Sequence, residues 1–256
     1  MARTSKKPKQ VQHLSQQSPI DLGKAEPIDV HLPQDHLVIK WKTLKDGTYD
    51  HNGGHPKIVF AVDAKVGVSL HRPGRSSPTF YPIKEFHFHS QSEHQVDGRG
   101  WPLELHIVHE TKEEDPFNPD QERAIHAVLT VFFDYGEGTP AANKFFRSLT
   151  AQIDKLSDAA LKRQTIEVTN PTNPKALLPA DVSTFYRYEG SLTTDTQNEN
   201  PETVSWVVFK QPKPLDKKVL DDYIARLAHE QKGPQPLNRR FVLLNTPAPE
   251  SPGATA

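Results

Sequence analysis

The most regular stretch of this chain alternates strictly. In Phe86-His87-Phe88-His89 the aromatic residues hold the even positions and the histidines the odd ones. A β-strand sends successive side chains to opposite faces, so Glu85, His87 and His89 share one face and Phe86 and Phe88 the other. The stretch Leu103-Glu104-Leu105-His106-Ile107-Val108-His109 alternates in the same way, with Leu103, Leu105 and Ile107 on one face and Glu104, His106 and Val108 opposite. Between the two lies Asp97-Gly98-Arg99-Gly100, strong turn chemistry that predicts antiparallel strands and brings His106 to the first histidine pair. Further β-rich runs occupy 58–62, 66–70, 127–133 and 204–209. Helical spacing is clearest over 216–230, where Val219, Leu220, Tyr223, Ile224 and Leu227 recur; shorter helices are expected at 141–146 and 157–162.

Short strands, 23 prolines and few helices predict a mainly β protein. A chain of 256 residues fits one large β domain, no internal repeat is visible, and a boundary between the motifs would split the site they form. The expected organisation is a loose tail over 1–16, one domain over 17–244, and a Pro/Ala/Ser/Thr/Gly-rich tail over 245–256. With 31 basic and 32 acidic residues there is no global field for nucleic acid or an acidic membrane. No apolar run is long enough to span a bilayer, and the first thirty residues lack the apolar core of a signal peptide. The expectation is a cytoplasmic protein, or a secreted or periplasmic one if a leader was removed ahead of this numbering. The absence of cysteine excludes disulfides and thiolate metal ligands.

Three imidazoles converging from two adjacent strands suit one zinc ion. Catalytic zinc takes three protein ligands and keeps a fourth position for water, which it acidifies so that hydroxide is available at neutral pH. Thirteen histidines in the chain would bring some together by chance, but the alternation on both strands favours a site.

These residues resemble the α-class carbonic anhydrases, and the resemblance runs from about residue 17 to about residue 240. It rests on Gln17-Ser18-Pro19-Ile20-Asp21, on Phe86-His87-Phe88-His89 followed by Ser92-Glu93-His94, and on Glu104-Leu105-His106-Ile107-Val108-His109. Ala127-Val128-Leu129, Ser191-Leu192-Thr193-Thr194, Val204-Ser205-Trp206 and Asn238-Arg239 follow in the family's order. That family is itself the case from which the near-neutral acidity of a zinc-bound water is known.

The resemblance implies a large twisted, mostly antiparallel central β-sheet, with Zn2+ held by His87, His89 and His106. It implies a lyase that interconverts carbon dioxide and water with bicarbonate and a proton, through attack of a zinc-bound hydroxide. Glu104 and Glu85 are the expected partners of the outer ring nitrogens of His106 and His87, and Glu85 departs from the family's commoner glutamine. Thr193 and Glu93 are implied to orient the hydroxide, Thr194 to contribute to the polar rim, and Val108, Val128, Leu192, Val204 and Trp206 to wall the carbon dioxide recess. His55, in Asn52-Gly53-Gly54-His55, resembles the proton shuttle, with His51 as competitor. His94 and His109 are expected to satisfy buried hydrogen bonds.

Two further departures stand out. The aromatic segment that usually precedes Gln-Ser-Pro is absent, which bears on proton relay more than on zinc binding, and Ser90 stands where the family usually has Trp-Gly, a small hydroxyl in place of a pocket-side tryptophan. The rival reading is an acatalytic carbonic-anhydrase-like binding or storage protein, against which the full set of ligands weighs. A metallohydrolase of a larger substrate would want a His-Glu-x-x-His motif, which is missing.

Overall fold

The computed structural model describes residues 16–42, 47–50, 57–60, 63, 65–72, 74–115, 118–154, 166–167, 174–193, 203–227 and 231–248. In chain order these form β1 (Ile28–Val30), β2 (Leu37–Lys40), β3 (Gly47–Asp50), β4 (Lys57–Phe60), β5 (Gly67–Leu70), β6 (Thr79–Ser90), β7 (Leu103–Asp115) and β8 (Asn118–Tyr135). There follow α1 (Pro140–Ile153), β9 (Ile166–Glu167), β10 (Phe185–Gly190), β11 (Val204–Phe209), β12 (Lys213–Leu215), α2 (Lys217–Ile224) and β13 (Leu243–Asn245).

The strands join into one large sheet in the order β1-β13-β10-β11-β8-β7-β6-β4-β3-β9, with β12 added beside β8 and β2-β5 beside β6. Most pairings are antiparallel, as expected, but β1/β13, β8/β11 and β8/β12 run parallel. The Asp97-Gly98 step has the predicted turn chemistry: both residues take positive φ, 53° and 77°, and Val96 and Arg99 exchange backbone hydrogen bonds at 3.0 Å. This small hairpin sits within the link from β6 to β7, and those two strands are antiparallel.

The sheet has two chemically distinct faces. Leu103, Leu105 and Ile107 of β7, Leu129, Val131 and Phe133 of β8 and Phe86 and Phe88 of β6 bury into the larger core. Helix α1 starts on Thr139, whose hydroxyl accepts from the Ala142 N–H, with Pro140 at its first turn. Its Phe146 meets Phe88 and Tyr223 of α2 edge-on at 5.6 and 5.1 Å between ring centroids, so both helices close this core. A second core holds Val108, Val128, Phe132, Tyr188, Val204 and Trp206.

One irregularity sets which face the histidines take. Ile83 pairs with His109 and Glu85 with Val108, so Lys84 is an extra residue bulged out of the ladder. Before it the odd residues Tyr81 and Ile83 enter the large core; after it the even residues Phe86 and Phe88 do. Glu85, His87 and His89 are thereby left on the opposite face.

Several boundaries differ from expectation. Helix α1 extends well past 141–146, because Leu149 and Ile153 continue its buried stripe. Helix α2 ends at Ile224 instead of 230, although Leu227 is still buried. Strand β8 begins nine residues before 127. At the C-terminus, Asn245 is the last residue of β13 and Thr246 donates its N–H to the Val30 carbonyl, so ordered pairing passes the expected tail boundary at 245. Residues 61–62, the expected helix 157–162, and 228–230 lie outside the described residues.

Candidate metal centre

His87 and His106 face each other directly across β6 and β7, and His89 faces Glu104. This register gathers His87, His89 and His106 so that one nitrogen from each lies within 4.8 Å of the others. His87 Nε2 is 3.1 Å from His106 Nδ1. The outer nitrogens are held by carboxylates: His106 Nε2 is 2.6 Å from Glu104 Oε1, and His87 Nδ1 is 3.3 Å from Glu85 Oε1.

A carboxylate accepts only, so each outer nitrogen carries the ring hydrogen and each inner nitrogen presents a bare lone pair. Two lone pairs facing each other at this distance repel unless a cation lies between them. A tetrahedral ion with bonds of about 2.0–2.1 Å separates its ligand nitrogens by about 3.3 Å, close to what stands here. The donor set therefore fits zinc.

The charges agree with that fit. Burial, against the pull of Glu104, pushes His106 down to about 4, so the ring is neutral at physiological pH. Burial alone would raise Glu104, but His94 and His106 outweigh it and hold its carboxyl well below the usual range. For Glu85 burial is likewise outweighed, by His87 and by Lys57 at 3.3 Å, and its carboxyl sits at about 2.

His89 is buried, its ring 4.6 Å from that of His106, and its Nε2 stands 3.4 Å from Glu93 Oε2. Burial raises Glu93, with Glu104 adding to the effect, while the Lys232 N–H, 3.0 Å from Oε1, and the Thr193 hydroxyl pull it back. Thr193 thus lies beside the carboxylate that the sequence paired with it. Val108, Val128 and Trp206 form one row across β7, β8 and β11, next to the row that carries His87 and His106. Val204 and Leu192 pack in the same apolar cluster, and the Trp206 ring is 5.0 Å from that of His106.

Beyond the ligands the site continues into a buried polar chain. Glu104 accepts from the His94 backbone N–H at 2.8 Å and from His94 Nδ1 at 2.6 Å. His94 Nε2 is 2.7 Å from the Tyr188 hydroxyl, which lies 3.0 Å from Ser18 Oγ. Ser18 in turn donates its N–H to Ser191 Oγ at 3.1 Å, and the Ser191 carbonyl accepts from Trp206 Nε1. His109 also behaves as expected, bonded to Trp41 and to the Ala127 carbonyl. Tyr188 and Ser18 were missed as members of the site. Ser18 lies in the Gln-Ser-Pro motif, but its partners are more than 160 residues away, a pairing that no local spacing reveals.

A family model described as eukaryotic-type carbonic anhydrase matches residues 4–245. The chain belongs to this family. A carbonic anhydrase of Klebsiella pneumoniae is 30% identical over 166 residues, covering 64% of this chain and 58% of that protein. One of Nostoc sp. is 31% identical over 231 residues, covering 89% and 75%. The matched stretch thus spans little more than half the length of the Klebsiella relative. Among solved structures, the α-carbonic anhydrase of Thermovibrio ammonificans in complex with the inhibitor sulfanilamide aligns with a TM-score of 0.64 at 29% identity, covering 89% of this chain and 86% of that one. Dioscorin complexed with ascorbate aligns with a TM-score of 0.68 at 24% identity over 92% and 87%, a likeness that bears on the fold alone.

Against the family pattern, Ser90 closes β6 as a buried residue, and Glu85 brings a full negative charge to the back of His87. His55, His51 and Thr194 lie outside the described residues.

Proposed function

We propose that this chain is a zinc-dependent carbonic anhydrase that interconverts carbon dioxide and water with bicarbonate and a proton, its zinc held by His87, His89 and His106. The observation that carries the reading is the pair of inner nitrogens, His87 Nε2 and His106 Nδ1, 3.1 Å apart with both outer nitrogens tied to carboxylates. When bound, zinc supplies a Lewis acid and an acidified water.

The chain's own residues do the rest. Glu85 and Glu104 fix tautomer and ring direction, so the inner nitrogens are already aimed and free of hydrogen. A Thr193 hydroxyl that donates to Glu93 can only accept on its other side, which orients the attacking group towards the carbon. The row Val108, Val128 and Trp206, with Val204 and Leu192, offers an apolar wall to a substrate that has no charge and excludes competing water. His55 is the proposed carrier of the proton to bulk, and Thr194 part of the rim.

Stopped-flow carbon dioxide hydration on the zinc-loaded protein, a chelator-stripped sample and His106→Ala tests this reading. Hydration that requires both zinc and His106 is the expected result. Stoichiometric zinc with no hydration would instead establish the acatalytic binding protein.

A further inference from the structure

Tyr188, whose hydroxyl engages His94, also lines a separate recess of about 480 Å³, between the β10–β13 pairing and the segments that carry His36 and His71. None of the three proposed zinc ligands borders it. Four arginines do, Arg72, Arg187, Arg239 and Arg240, against the single carboxylate of Glu189.

The arginines are not equally committed. Arg72 is bonded to Glu113 at 2.7 Å and Arg187 to Glu189 at 2.6 Å. Arg240 is different. Only 6% exposed, it gives Nε to the Leu237 carbonyl and one terminal nitrogen to the Pro236 carbonyl, both at 2.9 Å, and its other terminal nitrogen has no acceptor among the described residues. No carboxylate among the described residues pairs with it. A guanidinium stays charged, and a buried charge wants a counter-charge. The Tyr188 ring, 5.7 Å away, offers part of one.

Arg187 Nε and His36 Nε2 are also buried without an acceptor among the described residues, so they add to the polarity behind the lining and do not themselves face the recess. Burial first, then the charges of Arg187 and His71 against the opposing pull of Asp35, push His36 down to about 4. The rim is apolar: Phe241 is 76% exposed, the largest such exposure among the described hydrophobic residues, and Leu243 lies beside it.

We propose that this recess binds a small organic anion, a carboxylate carrying an aromatic or short aliphatic body. Arg239, exposed at the recess, meets the carboxylate; the buried charge of Arg240 lies behind it and attracts the anion through the field alone, and Phe241 covers the apolar part. A bare inorganic ion would leave Phe241 and the Tyr188 ring without a role, and the volume suits a small organic molecule.

Isothermal titration of benzoate into the full zinc-loaded chain tests the proposal, beside a zinc-free sample, with benzamide and inorganic phosphate as comparison ligands. The expected result is benzoate binding that survives removal of zinc and exceeds that of benzamide and of phosphate at least tenfold. Arg240→Met, Arg239→Gln and Phe241→Ala should each weaken it severalfold. Arg240 also ties down two loop carbonyls, so the exposed pair Arg239→Gln and Phe241→Ala decides the matter if Arg240→Met fails to fold. Benzoate binding that is absent, is lost with zinc, is matched by benzamide or phosphate, or is indifferent to Arg239 and Phe241 would overturn the proposal.

Discussion

Glu104 grips His94 twice, accepting its backbone N–H at 2.8 Å and its ring Nδ1 at 2.6 Å. The same carboxylate receives His106 Nε2, so one fully buried side chain couples a proposed zinc ligand to the loop between β6 and β7. In Glu104→Gln an amide must replace an acceptor of three hydrogen bonds, and its NH2 group meets donors. Zinc affinity should fall about 10- to 100-fold, the usual loss when the partner of a ligand is removed. Chelator competition measures it, and unchanged affinity would show that Glu104 does not position His106.

Glu85→Gln tests the departure behind His87. The carboxylate makes the imidazole more electron-rich and adds negative charge near the metal position, whereas an amide accepts the same N–H without charge. The variant should bind zinc more weakly by a few-fold, and the midpoint of its pH–hydration curve should move to lower pH. A midpoint that stays in place would remove Glu85 from any role in tuning acidity.

Val128→Tyr should leave zinc stoichiometry intact and reduce hydration at least tenfold. Val128 stands between Val108 and Trp206 in one row, so a phenol there fills the space offered to carbon dioxide. An overpacked core typically costs about 1–3 kcal/mol, so the thermal midpoint should be recorded alongside activity. Hydration at the wild-type rate would place the substrate elsewhere.

Trp41 and His109 set an acid limit on stability. The indole N–H only donates, so His109 Nε2 must be unprotonated to accept it at 3.2 Å, and Nδ1 is 3.1 Å from the Ala127 carbonyl. Burial pushes His109 down from 6.5 to about 3. Below pH 6.5 the unfolded chain takes up a proton that the folded chain refuses, so stability declines as pH falls from 6.5 towards 3. His109 alone contributes a slope of about 1.4 kcal/mol per pH unit within that window. Urea unfolding between pH 6.5 and 5 should show the slope, and His109→Gln should flatten it by that amount.

How much of this was legible depended on whether the signal was local. The alternation in 86–89 and 103–109 was enough to pair the strands and place three imidazoles together, because one face of each strand is apolar and the other chemical. The arm 118–126 of β8 went unseen: Asp120, Glu122 and Arg123 give it no apolar period, and it is held by pairing with the equally charged end of β7. Parallel pairing of β8 with β11 was invisible, since alternation says which face a residue takes and not which way its neighbour runs. Tyr188 and Ser18 were out of reach for another reason, their contact being made across the whole chain.

The bulge at Lys84 gives β6 something like a reading frame. Removing Lys84 would keep every side chain on its present face, because Ile83 and Glu85 would then simply alternate. Removing Phe86 instead would, with the bulge kept, turn His87 and His89 into the large core and carry Phe88 out among the imidazoles; with the bulge lost, it would turn Glu85 into the core and away from His87. Deletions two residues apart should therefore have opposite fates, one yielding a straighter strand with its ligands intact and the other a chain that cannot satisfy its core and its metal together.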